Sequence, residues 1–257
     1  MYVVAIHSLT MDKETRSGAL AAVLGRTIYE ALARLRAPGN GPFVVAFFAE
    51  KERAVLLVER LQSEGFKASL LTADELETEG RALIVRRFSL GEHEILFTTE
   101  KGDSRSVPFK NIGLILRGTG IIRDVTTETI RNRSVSLGRA VLSGGMMITK
   151  TTKNVREVAT EERQACVNIY TRDGSPLVLR ENTLVYDSLG PALQPARAAN
   201  FAYLVAELRR HCPDALYDER LISRAGQVAL LGPSLEPEEN LIVATALLSK
   251  VLRDTLC

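Results

Sequence analysis

Tryptophan is missing altogether, aromatic residues make up only 5% of the chain, and cysteine and histidine occur three times each among 257 residues. Each scarcity excludes something. Cys166, Cys212 and Cys257 stand far apart and form no C-x-x-C pair, which leaves neither a thiolate zinc site nor a disulfide framework and fits a reducing cytoplasm. His7, His93 and His211 lie at no spacing that builds a metal set or a nucleophile–base pair. His211 and Cys212 are adjacent, but neighbours on a helix point about 100° apart and do not share a face. Charge of one sign is also lacking: 33 Lys and Arg face 31 Asp and Glu, without the global positive field of a dedicated nucleic-acid binder.

Long apolar runs are absent too, and none approaches the roughly 20 residues of a membrane-spanning helix. The opening MYVVAIHSLTMDKETRSGAL has a short apolar run, no basic flank and charge by Asp12, unlike a secretory signal. A soluble cytoplasmic protein without a transmembrane segment is expected. Phosphate loops are missing as well. Gly118-Thr119-Gly120 has Arg123 where a dinucleotide fingerprint needs its third glycine, and Ser143-Gly144-Gly145 lacks the lysine and spacing of a P-loop. No cofactor and no metal are expected.

What is present is globular: 46% hydrophobic and 25% charged residues support folding throughout. Tyr2 to Ile6 is a short apolar run with β-branched valines, the pattern of a buried strand. Leu20, Val23, Leu24, Ile28, Ala31, Leu32 and Leu35 then form one helical stripe, ended at Ala37-Pro38-Gly39. Pro42 to Phe48 reads as a second strand, Ala54, Leu57, Val58 and Leu61 as a second helix capped at Gly65, and Phe66 to Leu71 as a third strand. The order β-α-β-α-β, with connections long enough for parallel pairing, predicts a small α/β unit over residues 1–76. Glu75, Glu77 and Glu79 read as a solvated acidic connector.

From Arg81 the pattern changes to short strands, ALIVRRF, HEILFTT, SRSVPF and IGLILRG, with turns at Gly91-Glu92 and Gly102-Asp103. After a long connection come MMITKTT, CVNIYT, PLVLRE and TLVYDS, with a hairpin signal at Asp173-Gly174. Phe201, Leu204, Val205 and Leu208 mark a helix over Pro195–Arg210 with one buried face.

EILFTTEKGDSRSVPFKNIGLILRG together with PARAANFAYLVAELRRHCP resembles the strand-turn-strand and closing helix of bacterial pleckstrin-homology-like domains. The resemblance covers roughly residues 81–212, interrupted by an insert near 119–145. It implies a mainly antiparallel barrel capped by a helix, and a binding or scaffolding module. A helical carboxyl-terminal extension over 213–257 completes an α+β chain. Within it Glu236-Pro237-Glu238-Glu239 opens a helix whose face of Leu241, Ala244, Leu248, Val251 and Leu252 is covered either by its own domain or by a second copy in a homodimer.

Two clusters stand out as candidate sites. In open parallel sheets ligands bind beyond the carboxyl ends of the strands, which points to His7, Ser8 and Thr10 as a candidate ligand site, although serine and threonine there also suit helix caps. Arg123, Arg131, Arg133, Arg139, Lys150, Lys153 and Arg156 outnumber Asp124 and Glu128, forming a basic stretch suited to an acidic partner, nucleic acid or an anionic lipid surface. No aromatic residue lies between Arg123 and Arg156 to stack on bases. The functional expectation is a non-enzymatic binding or scaffold protein with a protein partner. The alternatives are a small-molecule or catalytic site near His7 and attachment to an anionic surface.

Overall fold

The computed structural model describes residues 1–7, 13–35, 41–135, 149–172, 176–231 and 237–254, and over 121–135 and 149–162 the backbone path alone. Two compact units result, one of residues 1–120 with 164–257, the other of residues 121–163.

The run Val3-Val4-Ala5-Ile6 lies in β1 (Tyr2–His7), and all four residues are fully buried because the two faces of the strand meet two different cores. Side chains alternate across a strand. Val4 and Ile6 therefore pack with Leu20, Ala31, Leu57 and Leu61, while Val3 and Ala5 pack with Leu114, Leu231, Leu247 and Leu248. β1 is the middle strand of a three-stranded sheet, flanked by β2 (Phe43–Phe48) and β3 (Lys67–Leu71). It runs antiparallel to both, with Val4 opposite Ala46 and Leu70. The parallel pairing expected of β1 is corrected: β2 and β3 share a direction through α3 (Lys51–Ser63), and β1 lies between them in the opposite sense. A continuous apolar run records burial on both faces, and that is independent of strand direction.

The single amino-terminal helix expected is two helices, α1 (Lys13–Leu24) and α2 (Ile28–Leu35). Gly25, at φ +60°, ends the first, with the Arg26 amide donating to Ala21 O at 3.0 Å. Thr27 and Glu30 then start the second by reciprocal capping: the Thr27 amide donates to Glu30 Oε2 at 2.9 Å and the Glu30 amide to Thr27 Oγ1 at 3.2 Å. The acidic connector is likewise a helix, α4 (Ala73–Gly80), capped by the same device at Thr72 and Glu75 and packed beside the last helix of the chain.

The strands read after Arg81 form a seven-stranded sheet from β4 (Leu83–Leu90), β5 (Glu94–Thr99), β6 (Ser104–Pro108), β7 (Ile112–Val135), β8 (Thr149–Thr171), β9 (Leu177–Arg180) and β10 (Leu216–Leu221). Their order is β10-β7-β8-β9-β4-β5-β6. β4–β5–β6 is an antiparallel meander, β8 pairs antiparallel with β9, and the pairs β4–β9 and β7–β10 are parallel. Among the described residues this sheet is open, with β6 and β10 at its edges, so the closed barrel implied by the resemblance is not seen. The insert expected near 119–145 is in large part strand, since β7 continues to Val135 and β8 begins at Thr149. TLVYDS supplies one isolated bridge, Val185 with Arg87, followed by a 3-10 helix at Asp187–Ala192. The extension from 213 opens with β10 before its helices α6 (Arg224–Leu231) and α7 (Pro237–Asp254).

Two cores bracket the large sheet. On one face lies α5 (Arg197–His211), whose stripe Phe201, Leu204, Val205 and Leu208 packs against Phe97, Ile115, Val167 and Ile169. On the other face α7 buries Val243, Ala244, Leu247, Leu248 and Val251 against β7 on one side and the three-stranded sheet on the other. The apolar face of α7 is thus covered within its own chain. At Gly118, opposite Leu221 in the β7–β10 ladder, an added Cβ would stand 3.0 Å from Leu221 Cβ. This glycine permits a close strand approach and belongs to no nucleotide loop.

Candidate functional site

The carboxyl end of β8, the start of β7, the carboxyl end of α5 and the last turn of α7 converge on a cleft of about 1080 Å³. Its lining includes Phe109 and Lys110 from the 3-10 turn after β6, Tyr170 and Arg172 at the end of β8, His211 and Cys212 at the end of α5, and Arg253 on α7. Tyr170 and Arg253 also border a second cleft of about 680 Å³ on the α4 side, where Asp74, Glu75, Glu79 and Lys250 are found.

Tyr170 is 3% exposed, and its hydroxyl donates to Glu79 Oε1 at 2.5 Å. Burial, and then the adjacent Glu79 charge, push the phenol well above its ordinary range. Burial also pushes Glu79 up, against the opposing influence of the Tyr170 hydrogen bond and of Arg253. Glu75 behaves differently. Burial raises it, but hydrogen bonds from Lys250 and Thr72 outweigh that and hold it below the usual carboxylate range. Lys250 Nζ donates to both Glu75 Oε1 and Leu70 O at 2.6 Å, joining α7 to α4 and β3.

On the other side of the cleft, His211 stacks on Phe109 with ring centroids 4.5 Å apart and an interplanar angle of 15°. Its Nε2 lies 3.7 Å from Glu207 Oε2. Cys212, the residue that ends α5, is buried, and burial pushes its thiol up to about 11. Burial likewise pushes Cys166 up to about 11, with Arg180 and a hydrogen bond involving Gly118 pulling weakly the other way. Both are neutral thiols at physiological pH, the opposite of an activated nucleophile. Cys257 lies outside the described residues. Among the described residues no cluster of His, Cys, Asp and Glu could hold a metal ion, and no helix is long and apolar enough to cross a membrane.

The cluster expected at the strand ends is only partly in view. His7 Nε2 is hydrogen-bonded with Ser69 Oγ at 3.0 Å, joining β1 to β3. Burial and Lys67 lower the His7 pKa, with Asp254 acting in the other direction. Ser8 and Thr10 lie outside the described residues, as does Arg139. Arg123, Arg131 and Arg133 fall on β7, and Lys150, Lys153 and Arg156 on β8, so the described members of the basic stretch are carried by strand backbone.

Sequence reasoning missed Tyr170, Glu79 and Arg253. The Thr72-x-x-Glu75 spacing could have revealed α4 and hence the setting of Glu79. Tyr170, inside the strand CVNIYT, carries no local mark distinguishing it from any core aromatic.

No protein-family model, no curated protein and no solved structure matches the chain.

Proposed function

We propose that the protein is a non-enzymatic binding module whose recognition site is the cleft between the ends of β8, α5 and α7. The observation that carries this reading is a cavity of about 1080 Å³ lined from several separate elements, the size class of small-molecule pockets. Its lining favours binding over turnover. The thiol in it is neutral, the phenol is hydrogen-bonded to a carboxylate, and the imidazole is stacked on Phe109.

The resemblance of residues 81–212 to pleckstrin-homology-like domains is in keeping with this role. The β4–β6 meander under α5 supports the likeness, in a version whose sheet stays open. A cytoplasmic setting fits two buried free cysteines held as thiols.

The test is a thermal-shift screen of small molecules on the full chain, run beside Asn111→Trp, which places an indole in the cleft lining. A compound that raises the melting temperature of the wild type and not of the variant supports the reading. Chemical conversion of such a compound by the protein, or equal stabilisation of both chains by every compound that binds, contradicts it.

A further inference from the structure

The cleft has a charge pattern of its own, and from it we infer that its ligand is a small organic anion carrying two or more negative charges, a phosphomonoester or a polycarboxylate. This inference rests on the cleft being a binding site.

Three cations border the cavity from three separate places in the chain: Lys110 from the 3-10 turn, Arg172 immediately after β8 and Arg253 from the last turn of α7. All three are exposed, and among the described residues none is within ion-pair distance of a carboxylate. This sets Lys110 and Arg172 apart from Arg210, Arg220 and Lys250, each engaged with an acidic neighbour, while Arg253 also acts on Glu79 beyond ion-pair distance. Opposing charge in the lining comes from Asp214 and from the partial negative charge at the carboxyl end of α5. The balance remains positive.

The remaining geometry sets the size of the ligand. The Phe109–His211 stack gives the cavity an aromatic wall, and Ile112 and Leu114 add apolar surface at the start of β7. A compact body bearing several anionic oxygens matches three cations in the lining of an apolar-walled cavity, and arginine binds phosphate and carboxylate alike by donating paired N–H hydrogen bonds. A single monovalent anion would engage only one of the three cations and leave the others unused. The second cleft sets Asp74, Glu75, Glu79 and Asp254 against Lys250 and Arg253, so its lining carries more acid than base and disfavours the same ligand.

The experiment is calorimetric titration of phenyl phosphate, a phosphomonoester, and of citrate into the full chain at low and at raised ionic strength, with inorganic chloride as the monovalent control. The expected result is saturable binding of at least one of the two polyanions, weakening as salt rises. Preference between them separates the phosphate from the carboxylate class. Lys110→Gln combined with Arg172→Gln removes two exposed, unpaired side chains, so an unchanged melting temperature is expected together with a loss of affinity of about tenfold or more. Arg253→Gln is a second, independent reading of the same site.

Equal affinity in wild type and double variant, or no binding of either polyanion, overturns the inference. A neutral compound that binds the wild type and is blocked by Asn111→Trp sinks the polyanion class and keeps the cleft as a binding site. Compounds of every class binding equally to both chains sink the binding site itself.

Discussion

Tyr170 on β8 donates a hydrogen bond of 2.5 Å to Glu79 on α4, across 91 positions of sequence. In sequence the strand reads as part of the second module and Glu79 as part of the acidic connector before it. Through this bond the lining of the cleft is tied to the helix that follows β3.

Removing the donor tests that tie. Tyr170→Phe keeps the ring and leaves the half-buried Glu79 carboxylate without its hydrogen bond, a loss expected to cost about 1 to 3 kcal/mol. Urea unfolding of the variant beside the wild type measures it. A change within experimental scatter would mean that the pair is incidental.

The same carboxylate makes stability depend on pH in a definite sense. Glu79 has a folded pKa above its ordinary value, so the folded state holds its proton more tightly than the unfolded chain does. Its contribution is fully present below the unfolded value and declines as pH rises through the folded one. Glu75 has the opposite sign: its folded pKa is lowered, and its contribution is lost as pH falls. Glu79→Gln should therefore flatten the decline in stability on the alkaline side of the carboxylate range and leave the acid side intact. Glu75→Gln should flatten the acid side. Unfolding free energies measured from about pH 4 to about pH 7 check both signs.

The core under α5 can be tested by neighbours on one helix. Leu204 is fully buried and Tyr203 is 37% exposed. Leu204→Ala is expected to cost about 2 to 5 kcal/mol through lost transfer energy and the cavity left behind. Tyr203→Ala should stay within about 0.5 kcal/mol. Similar costs for the two would place the buried stripe on another face.

At Gly118 the contact is steric. A methyl group there meets Leu221 Cβ at 3.0 Å, so β10 must give by a few tenths of an ångström, and Gly118→Ala is expected to cost about 1 to 3 kcal/mol. Adding Leu221→Gly, which removes that Cβ, should recover part of that loss. If the double variant shows only the sum of two independent losses, the strands do not approach there as described.

Local elements were well marked in the sequence, because each left a pattern within a few residues. Val3 to Ile6, the Gly65 cap of α3 and the Phe201–Leu208 stripe all lie where periodicity and capping put them. The break at Gly25 carried an equally local signal in Thr27-x-x-Glu30, obscured by a stripe that runs in phase across both helices. Strand direction and sheet closure left no such mark. Val3 and Ala5 are as apolar as Val4 and Ile6 whichever way β2 and β3 run, and the β9–β4 pairing joins segments separated by nearly the whole middle of the chain. The cleft was illegible for the same reason: Lys110, Tyr170, His211 and Arg253 are scattered along the sequence, and only the path of the chain brings them together.

The most direct test of the account is an NMR titration of the full chain with the tightest compound from the thermal-shift screen, read residue by residue. Binding in the cleft predicts that signals of Asn111, Thr171 and Ala215 move in a saturable way while those of Ala31 and Leu57, in the core beneath α1 to α3, stay in place. Saturable shifts centred on Ala31 and Leu57, with Asn111, Thr171 and Ala215 unmoved, would contradict it.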